Sequence, residues 1–376
     1  MIWITFIISL FYIGLVLWLF IGNSRLPETS TQSVPPTIGF TIVVPFRNES
    51  KNLLELIESL RQLDYPSKLC EIIFVDDDSS DGSVLIIEKE FQNKKNPIAY
   101  SILKNEQTSG SPKKNAITLA NKKASKDWII VTDADCEVPK NWLRAYNEYI
   151  LAVQPKLICG PVATKANGST LQRFQELEGF SLQSATWAGF GLKTPFLCNG
   201  ANMAYKRETF IALDGYLGND HISSGDDVFL LEKAQIRFPN DVYYLKNKDA
   251  IVITKPVYTW QAILNQRQRW ASKTKNQKSK LPKLVGLVVF TVNFWMVFGL
   301  IAHLFWLENL MNFLVFLMFK CLLDALLLSE SSKFFGRNLS LLSYLKTAII
   351  YPPLTLLIVM RSFYRSNHWK GRQIAK

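Results

Sequence analysis

The chain contains an apolar strand that ends in two carboxylates, Asp127-Trp128-Ile129-Ile130-Val131-Thr132-Asp133-Ala134-Asp135. Side chains at positions i and i+2 of an extended chain point to the same side, so Asp133 and Asp135 can offer oxygen ligands to one ion. Mg²⁺ and Mn²⁺ suit such a pair when a substrate phosphate completes the coordination. Taken alone, the same carboxylates could instead cap the next helix. The rest of the sequence is needed to choose between these alternatives.

Upstream of this strand, apolar strands alternate with amphipathic helices. The pattern predicts strands at 39–45, 70–75 and 98–103 and helices at 49–63 and 112–124. Such alternation predicts an α/β fold with a mostly parallel, Rossmann-like sheet. Ligands of these sheets bind beyond the carboxyl ends of the strands. The acidic clusters of the chain fall at those ends.

Long apolar runs at both ends predict a multi-pass membrane protein. Residues 2–22 are long enough to cross a bilayer, which takes about 20 residues. A cleaved signal peptide is disfavoured, because the run lacks a basic start and a small-x-small cleavage site. Residues 284–328 predict a transmembrane hairpin with a turn at 307–309, in which Asp324 faces protein rather than lipid. The segment 341–360 contains Pro352-Pro353 and predicts a broken or re-entrant helix, since a full crossing would place the basic tail outside.

These runs predict the domain organisation. They give an N-terminal transmembrane anchor at 1–23, a linker at 24–37, a cytoplasmic domain at 38–282 and a membrane region at 283–376. Arg25 and the basic residues that follow it favour an outside N-terminus and a cytoplasmic remainder.

The formal net charge of +12 has a membrane explanation. Residues 267–283 contain only basic charges and immediately precede the hairpin, where they would attract anionic lipids. Membrane lipids are therefore the expected partner rather than nucleic acid. The 5 cysteines include no Cys-x-x-Cys pair and the chain has 3 histidines, which disfavours a zinc site and favours a reducing compartment.

Two further acidic clusters carry candidate chemistry. The cluster at 76–83 is a turn in its simplest interpretation, but Asp76 and Asp77 at a strand end can also accept hydrogen bonds from a ribose or a uracil imide. Asp226 and Asp227 precede an apolar helical run. They could cap that helix, or one of them could act as a general base for a hydroxyl.

The last constellation is Gln266-Arg267-Gln268-Arg269-Trp270. Gln266 and Arg269 share a helix face because they are three residues apart. Arginine suits bidentate contact with phosphate oxygens. A basic helix at the membrane surface is the alternative, although it explains Trp270 less well.

In this order, the motifs resemble glycosyltransferase family 2, the inverting enzymes with a GT-A fold. The resemblance covers most of residues 40–270. Residues 41–49 look like the opening strand of the family, 75–83 like its nucleotide-binding turn, and Asp133-Ala134-Asp135 like its D-x-D metal motif. Residues 266–270 match the Q-x-x-R-W motif of the membrane-embedded branch, which includes polysaccharide synthases and ceramide-type glucosyltransferases.

The resemblance implies a role for each matching residue. It implies Asp227 as the catalytic base with Asp226 beside it, although the Thr-Glu-Asp triplet of the branch is Gly225-Asp226-Asp227 here. It implies that Asp135 and Asp133 hold Mg²⁺ or Mn²⁺. The implied nucleotide-sugar-binding residues are Pro45, Asp76, Asp77, Lys113, Asp133, Gln266, Arg269 and Trp270. The implied acceptor-binding residues are Cys198, Asn199, Gly200 and Trp270. Lys113 follows Pro112 where the branch has a glycine.

The implied function is a membrane-bound transferase that moves a sugar from a nucleotide sugar, expected to be UDP-linked, to a hydroxyl of a lipid-linked or glycan acceptor. The reaction would take place at the cytoplasmic leaflet of the cell membrane. A processive polysaccharide synthase is the alternative within the same class. A catalytically inactive membrane scaffold or accessory subunit is the non-enzyme alternative.

Overall fold

The computed structural model describes residues 2–92, 98–106, 109–166, 168–305, 310–364, 367–369 and 372–374. The chain forms two compact units. The helical unit contains Met1–Leu26, Lys165–Phe196 and Pro256–Ser366, and the sheet unit contains Pro27–Thr164, Leu197–Lys255 and Asn367–Lys376. The domain boundaries predicted above follow sequence order and stay predictions, whereas each unit joins segments that are distant in the sequence.

The strands all belong to the sheet unit. In chain order they are β1 Phe40–Phe46, β2 Cys70–Asp76, β3 Ala99–Lys104, β4 Trp128–Val131, β5 Cys136–Glu137, β6 Leu157–Cys159, β7 Val162–Thr164, β8 Met203–Lys206, β9 Val242–Tyr244, β10 Val252–Thr254, β11 Asn367–Trp369 and β12 Arg372–Ile374. Among the described residues, the main sheet has the order β3-β2-β1-β4-β8-β6-β9. Strands β1 to β4 are mutually parallel, and β8 is antiparallel to β4 and β6. The prediction of a mostly parallel α/β sheet is confirmed.

The register brings the carboxyl ends of β1 to β4 to one edge of the sheet. Phe40 pairs with both Cys70 and Trp128. Pro45 lies inside β1, yet it interrupts no pairing. The carbonyl of Val43 accepts from Thr132 N, so the backbone of Val43 faces β4. Pro45, two residues later, has its backbone nitrogen on the same side, but β4 has already ended at Val131. The missing N–H of Pro45 therefore removes no hydrogen bond from the sheet.

The helices alternate between the two units. They are α1 Ile2–Arg25, α2 Leu53–Arg61, α3 Ser83–Gln92, α4 Pro112–Lys123, α5 Trp142–Val153, α6 Thr170–Gly191, α7 Arg207–Ala212, α8 Asp226–Arg237, α9 Trp260–Asn276, α10 Leu281–Phe305, α11 Leu310–Phe334 and α12 Leu341–Tyr364. Helices α2, α3, α4, α5, α7 and α8 belong to the sheet unit. β1 is buried along almost its whole length, as expected of a central parallel strand covered on both faces.

The described part of the helical unit contains 4 helices that are long and apolar enough to cross a membrane. They are Ile2–Arg25, Leu281–His303, Leu310–Phe334 and Leu341–Tyr364. Their outward surface is apolar, with Trp3 at 76%, Met318 at 66% and Ile349 at 75% exposure. This pattern is typical of helices whose solvent is lipid.

The break predicted in the last apolar segment is wrong. Helix α12 runs without interruption through Pro352 and Pro353. Proline removes a backbone donor but does not by itself end a helix, and apolar spanning helices tolerate it. The predicted turn at 307–309 and most of the basic tail lie outside the described residues.

Asp324 lies within α11, where a solitary charge would be unfavourable in lipid. Its carboxylate lies 2.7 Å from the ammonium of Lys320, one turn earlier, and accepts a hydrogen bond from the Tyr12 hydroxyl of α1. The prediction that Asp324 faces protein is confirmed.

Candidate active site

The Asp133–Asp135 turn follows β4 at the carboxyl edge of the sheet. Asp133 and Asp135 are partly exposed, while Ala134 between them is buried at 2% exposure. A hydrogen bond of 3.2 Å from Cys136 N to the Asp133 carbonyl closes the turn. The Cys136 thiol donates to Asp135 Oδ1 at 3.6 Å, and burial followed by the charges of Asp135 and Asp133 raises its pKa, so it stays protonated. Both carboxylates are therefore partly exposed on a closed turn rather than on the extended chain that the spacing argument assumes, and their shared ion stays a prediction.

Lys113 joins this turn to a second acidic segment. It lies in the first turn of α4, and its Nζ is 2.7 Å from Asp133 Oδ1 and 3.0 Å from Asp226 Oδ2. Burial acts to lower the pKa of Lys113, but the charges of Asp133 and Asp226 outweigh it and raise that pKa above its ordinary range. Three segments that are distant in the sequence thus converge on one ammonium group.

Asp226 and Asp227 are the first two residues of α8. The residue before them, Gly225, occupies the N-cap position with φ +81° and supplies no side-chain cap. The N-cap position itself is therefore held by a glycine, but both carboxylates lie at the positive end of the helix dipole and Asp227 accepts from a first-turn amide, so the capping and general-base alternatives both stay open. Asp227 is buried at 9% exposure and its Oδ1 accepts from Val228 N at 2.7 Å.

The glycine at position 225 also explains the departure from the family triplet. A left-handed φ strains any residue with a Cβ, and a Cβ here would lie 2.7 Å from the ring of Phe229. The local backbone of this chain excludes a threonine at that place.

Gly200 allows the acidic residues and Lys113 to pack closely against the backbone. A Cβ on Gly200 would lie 2.8 Å from Asp226 Oδ2 and 3.4 Å from Lys113 Nζ. Its neighbour Asn199 uses Oδ1 to accept from Ala201 N at 3.0 Å, which fixes the turn that carries Gly200. Cys198 is buried at 8% exposure. The predicted acceptor segment and the predicted base thus adjoin.

The acidic turn after β2 contains one carboxylate that is buried. Asp77, at 4% exposure, accepts from Asn105 Nδ2 at 2.8 Å. Asn105 follows β3, and its own Oδ1 is buried and finds no hydrogen-bond partner among the residues that the structure describes. Sequence reasoning missed Asn105; its only signal is a polar residue immediately after a strand. Asp76 instead accepts from Ser79 N at 3.0 Å and closes the turn.

Lys114 was also missed. Its side chain is buried at 1% exposure and donates to the carbonyls of Asn219 and Ile222 at 2.7 and 2.8 Å. The ammonium also lies 4.6 Å from the ring centroid of Phe229. Lys114 therefore fixes the loop that leads into Asp226.

The Q-x-x-R-W motif lies on α9, in the helical unit. Gln266, Arg269 and Trp270 are partly exposed, whereas Arg267 and Gln268 are buried. The predicted shared face of Gln266 and Arg269 agrees with this exposure pattern.

The acidic residues can be tested for their fit to a divalent cation. Within the described residues, no group of three His, Cys, Asp or Glu side chains converges as in an all-protein metal cage. Mg²⁺ and Mn²⁺ do not require one, because they bind through one or two carboxylates together with substrate phosphates and water. The two oxygen-bearing side chains of the Asp133–Asp135 turn fit that donor set.

Comparison with known families agrees with this geometry. Residues 41–213 match the family described as Glycosyl transferase family 2, and residues 128–360, well over half of the chain, match Glycosyl transferase family group 2. The chain belongs to glycosyltransferase family 2. The family prediction made from the motifs is confirmed.

Two curated proteins illustrate the similarity. The poly(ribitol-phosphate) beta-N-acetylglucosaminyltransferase TarS of Staphylococcus aureus is 33% identical over 105 residues, covering 28% of this chain and 18% of TarS. The hyaluronan synthase of Streptococcus pyogenes is 26% identical over 242 residues, covering 61% of this chain and 55% of the synthase. The matches thus span about half or less of these relatives.

A solved structure supports the fold. The mannosyltransferase PcManGT from Pyrobaculum calidifontis, determined with GDP-Man and Mn²⁺, aligns over 96% of this chain and 99% of its own, with a TM-score of 0.59 and 15% identity. At that identity the likeness shows the fold alone, which is the GT-A architecture.

Proposed function

We propose that this protein is a membrane-bound inverting glycosyltransferase that moves a sugar from a nucleotide sugar to a hydroxyl of a lipid-linked or glycan acceptor. The observation that carries the proposal is the Lys113 ammonium, which lies within 3.0 Å of both Asp133 and Asp226. It joins the D-x-D turn to the helix that begins with Asp226-Asp227. In the family pattern, these segments hold the donor and activate the acceptor.

Asp227 is proposed as the general base. It would take the proton of the acceptor hydroxyl as that oxygen bonds to the anomeric carbon. The bond from this carbon to the diphosphate breaks in the same in-line displacement, so the configuration inverts and the nucleoside diphosphate leaves. A positioned base contributes about 10²- to 10⁴-fold in rate. Burial of Asp227 close to Gly200, a residue of the predicted acceptor segment, supports this role.

The donor would be held at several points. Asp77, buried against Asn105, has the acceptor oxygens to bind a nucleobase N–H. Asp76 is the last residue of β2, and Pro45 is the last but one of the neighbouring β1. Gln266, Arg269 and Trp270 are proposed to bind the diphosphate and the acceptor sugar, as in the membrane-embedded branch of the family.

Asp135 and Asp133 would hold Mg²⁺ or Mn²⁺, which supplies positive charge to the departing diphosphate when bound. Lys113 would then supply a second positive charge to the departing diphosphate. Its ammonium can exchange the Asp133 carboxylate for a phosphate oxygen of the donor, since lysine binds phosphate as a flexible point charge. The Mn²⁺ of PcManGT supports a divalent cation as the cofactor.

The site is proposed to lie at the cytoplasmic leaflet of the cell membrane. The Arg267–Lys283 stretch carries only basic charges and leads directly into the candidate span that begins at Leu281. Anionic lipids of the cytoplasmic leaflet attract such segments. A lipid-linked acceptor or a growing glycan could reach a site placed there.

A processive polysaccharide synthase is the second candidate. The similarity to hyaluronan synthase over 61% of this chain favours it. Product analysis separates the two: one added sugar mass per acceptor indicates single transfer, and a ladder of masses indicates polymerisation.

A donor panel tests the proposal. Membranes containing the full chain are supplied with UDP-glucose, UDP-N-acetylglucosamine and GDP-mannose, and nucleotide release is measured with Mn²⁺ and with chelator. We expect release from one donor, its loss with chelator and a loss of at least about 10²-fold in Asp227→Asn. The control Asp220→Asn removes a carboxylate whose side chain is 47% exposed and should release nucleotide normally. Absence of release from every donor, or full activity of Asp227→Asn, would contradict the proposal.

A further inference from the structure

A buried ion pair lies within the helical unit, between α6 and α9. Glu178 Oε2 accepts hydrogen bonds from Arg267 Nε at 2.8 Å and Nη2 at 2.6 Å. The two side chains are 10% and 9% exposed. Two charges removed from water depend on each other, and loss of either partner leaves an uncompensated charge. Arg267 is therefore committed to Glu178.

The same guanidinium contacts two members of the Q-x-x-R-W motif. Arg267 Nη1 donates to Gln266 Oε1. The guanidinium carbon also lies 4.1 Å from the ring centroid of Trp270. A planar guanidinium stacks on an aromatic face and donates within its own plane, so it can fix both neighbours at once.

These contacts determine what the motif presents. Since the oxygen of Gln266 is occupied by Arg267, its amide NH₂ group remains the end that can meet a ligand, and an NH₂ group donates to anionic oxygens. The Arg267 guanidinium packs over the ring of Trp270, which fixes the orientation of the indole. The pair thus gives the motif a donor-bearing, oriented surface.

The segment that precedes α9 is hydrogen-bonded to α6, the helix that carries Glu178. Gln175 of α6 accepts from Val257 N and donates to the Val257 carbonyl, both at 2.9 Å. On its other side, Arg361 of α12 donates to Asn265 Oδ1 at 3.0 Å. Helix α9 is therefore a fixed element within its unit.

We propose that Glu178 and Arg267 are positioning residues for nucleoside diphosphate binding. Glu178 holds Arg267, and Arg267 orients Gln266 and Trp270, two of the motif residues proposed to bind the donor. The inference rests on the proposed function, because it takes the motif to bind the donor.

The test measures affinity for a nucleotide with and without a β-phosphate. Calorimetry on the purified full chain with Mn²⁺ compares UDP with UMP, and GDP with GMP, in the wild type, Glu178→Gln, Arg267→Gln and the double variant. We expect each single variant to lose about 10-fold or more in diphosphate affinity, with a much smaller loss for the monophosphate. The double variant should be no weaker than the weaker single, since the two residues act as one unit. Glu178→Asp should recover part of the affinity.

Glu176→Gln is the matched control. Glu176 lies on the same helix, is more deeply buried at 4% exposure against 10% for Glu178, and pairs with Arg173 and Arg337 rather than with α9. Thermal unfolding of all variants in detergent separates stability from affinity. Wild-type diphosphate affinity in Glu178→Gln, or an equal loss in Glu176→Gln, would overturn the inference. If the wild type binds neither UDP nor GDP, the proposed function itself is wrong and the inference falls with it.

Discussion

Two acidic turns leave the carboxyl edge of the same parallel sheet, and their carboxylates have different partners. In the turn after β2, Asp81 accepts from Ser50 N at 2.9 Å and from Ser83 N at 3.1 Å. In the turn after β4, Asp133 faces the ammonium of Lys113 at 2.7 Å. The first carboxylate is held by two backbone amides, with the Ser83 hydroxyl as a further donor, and the second by one flexible side chain.

The difference separates architecture from chemistry. A backbone amide cannot leave its carboxylate without unfolding the loop, so Asp81 stabilises the turn and is unavailable to a ligand. A lysine side chain can exchange partners when a metal ion or phosphate arrives. Residue type alone does not distinguish the two turns; the identity of the donor does. Asp77 is the intermediate case, because it lies in the first turn yet faces a side chain, Asn105.

The largest effect is expected at the second turn. Asp135→Asn keeps the size of the side chain and removes its charge, so the site should lose a ligand for a divalent cation. We expect sugar transfer to fall by about 10²- to 10³-fold, the scale of losing one electrostatic contact to a developing charge. Melting temperature should change little, because the side chain is partly exposed. Nucleotide release with titrated Mn²⁺ and thermal unfolding measure the two quantities. A large drop in melting temperature would place Asp135 with the architectural carboxylates.

The next effect is expected at Asp77. Asp77→Asn removes the charged acceptor while Asn105 stays in place. We expect nucleotide affinity to fall about 10-fold or more, since hydrogen bonds to charged groups contribute about 1.5–3 kcal/mol. Calorimetry with the nucleoside diphosphate measures the loss, and Asp220→Asn serves as the control. Unchanged affinity would assign the whole first turn to the architecture.

The same contrast explains which parts of the fold and of the candidate site could be predicted from the sequence. Strands β1 to β4 were predicted to within one residue at each end, because buried parallel strands are short apolar runs bounded by turn residues. The D-x-D pair and Lys113 were identified because they fit a family pattern. Asn105 and Lys114 were not, because each is a single polar residue whose importance depends on burial, and burial comes from segments distant in the sequence. The helix through Pro352 was missed because proline statistics describe helices in water.

A smaller effect is expected at Asp81, and on stability rather than catalysis. Asp81→Ala removes acceptors at the start of α3, and we expect unfolding free energy to fall by about 1 kcal/mol, as for loss of a helix cap. Burial acts to raise the pKa of Asp81, but hydrogen bonds from Ser83 and Ser50 outweigh it and lower that pKa from 3.8 to about 2. A lowered carboxylate pKa stabilises the fold above the unfolded value, so this contribution is complete above about pH 4 and is lost as the pH falls toward 2.

Denaturant unfolding of wild type and Asp81→Ala at pH 6 and pH 3 measures this dependence. The difference between the two proteins should shrink at the lower pH. Turnover of Asp81→Ala at pH 7 should match the wild type within about two-fold, which corresponds to about 0.4 kcal/mol. A difference in stability that persists at low pH would mean that the side chain acts by packing rather than by its charge.

The smallest effect is expected at Asp78, between Asp77 and Asp81. Its side chain is 69% exposed and its ion pair with Arg47 spans 3.6 Å, so the pair should contribute less than about 0.5 kcal/mol. Its backbone has φ +63°, a left-handed conformation that asparagine also adopts readily. We therefore expect Asp78→Asn to leave both unfolding free energy and turnover unchanged within error. Because this variant removes one negative charge from the same turn as Asp77→Asn, any loss of nucleotide affinity in Asp78→Asn would show that the net charge of the turn, rather than the position of one buried carboxylate, binds the nucleotide.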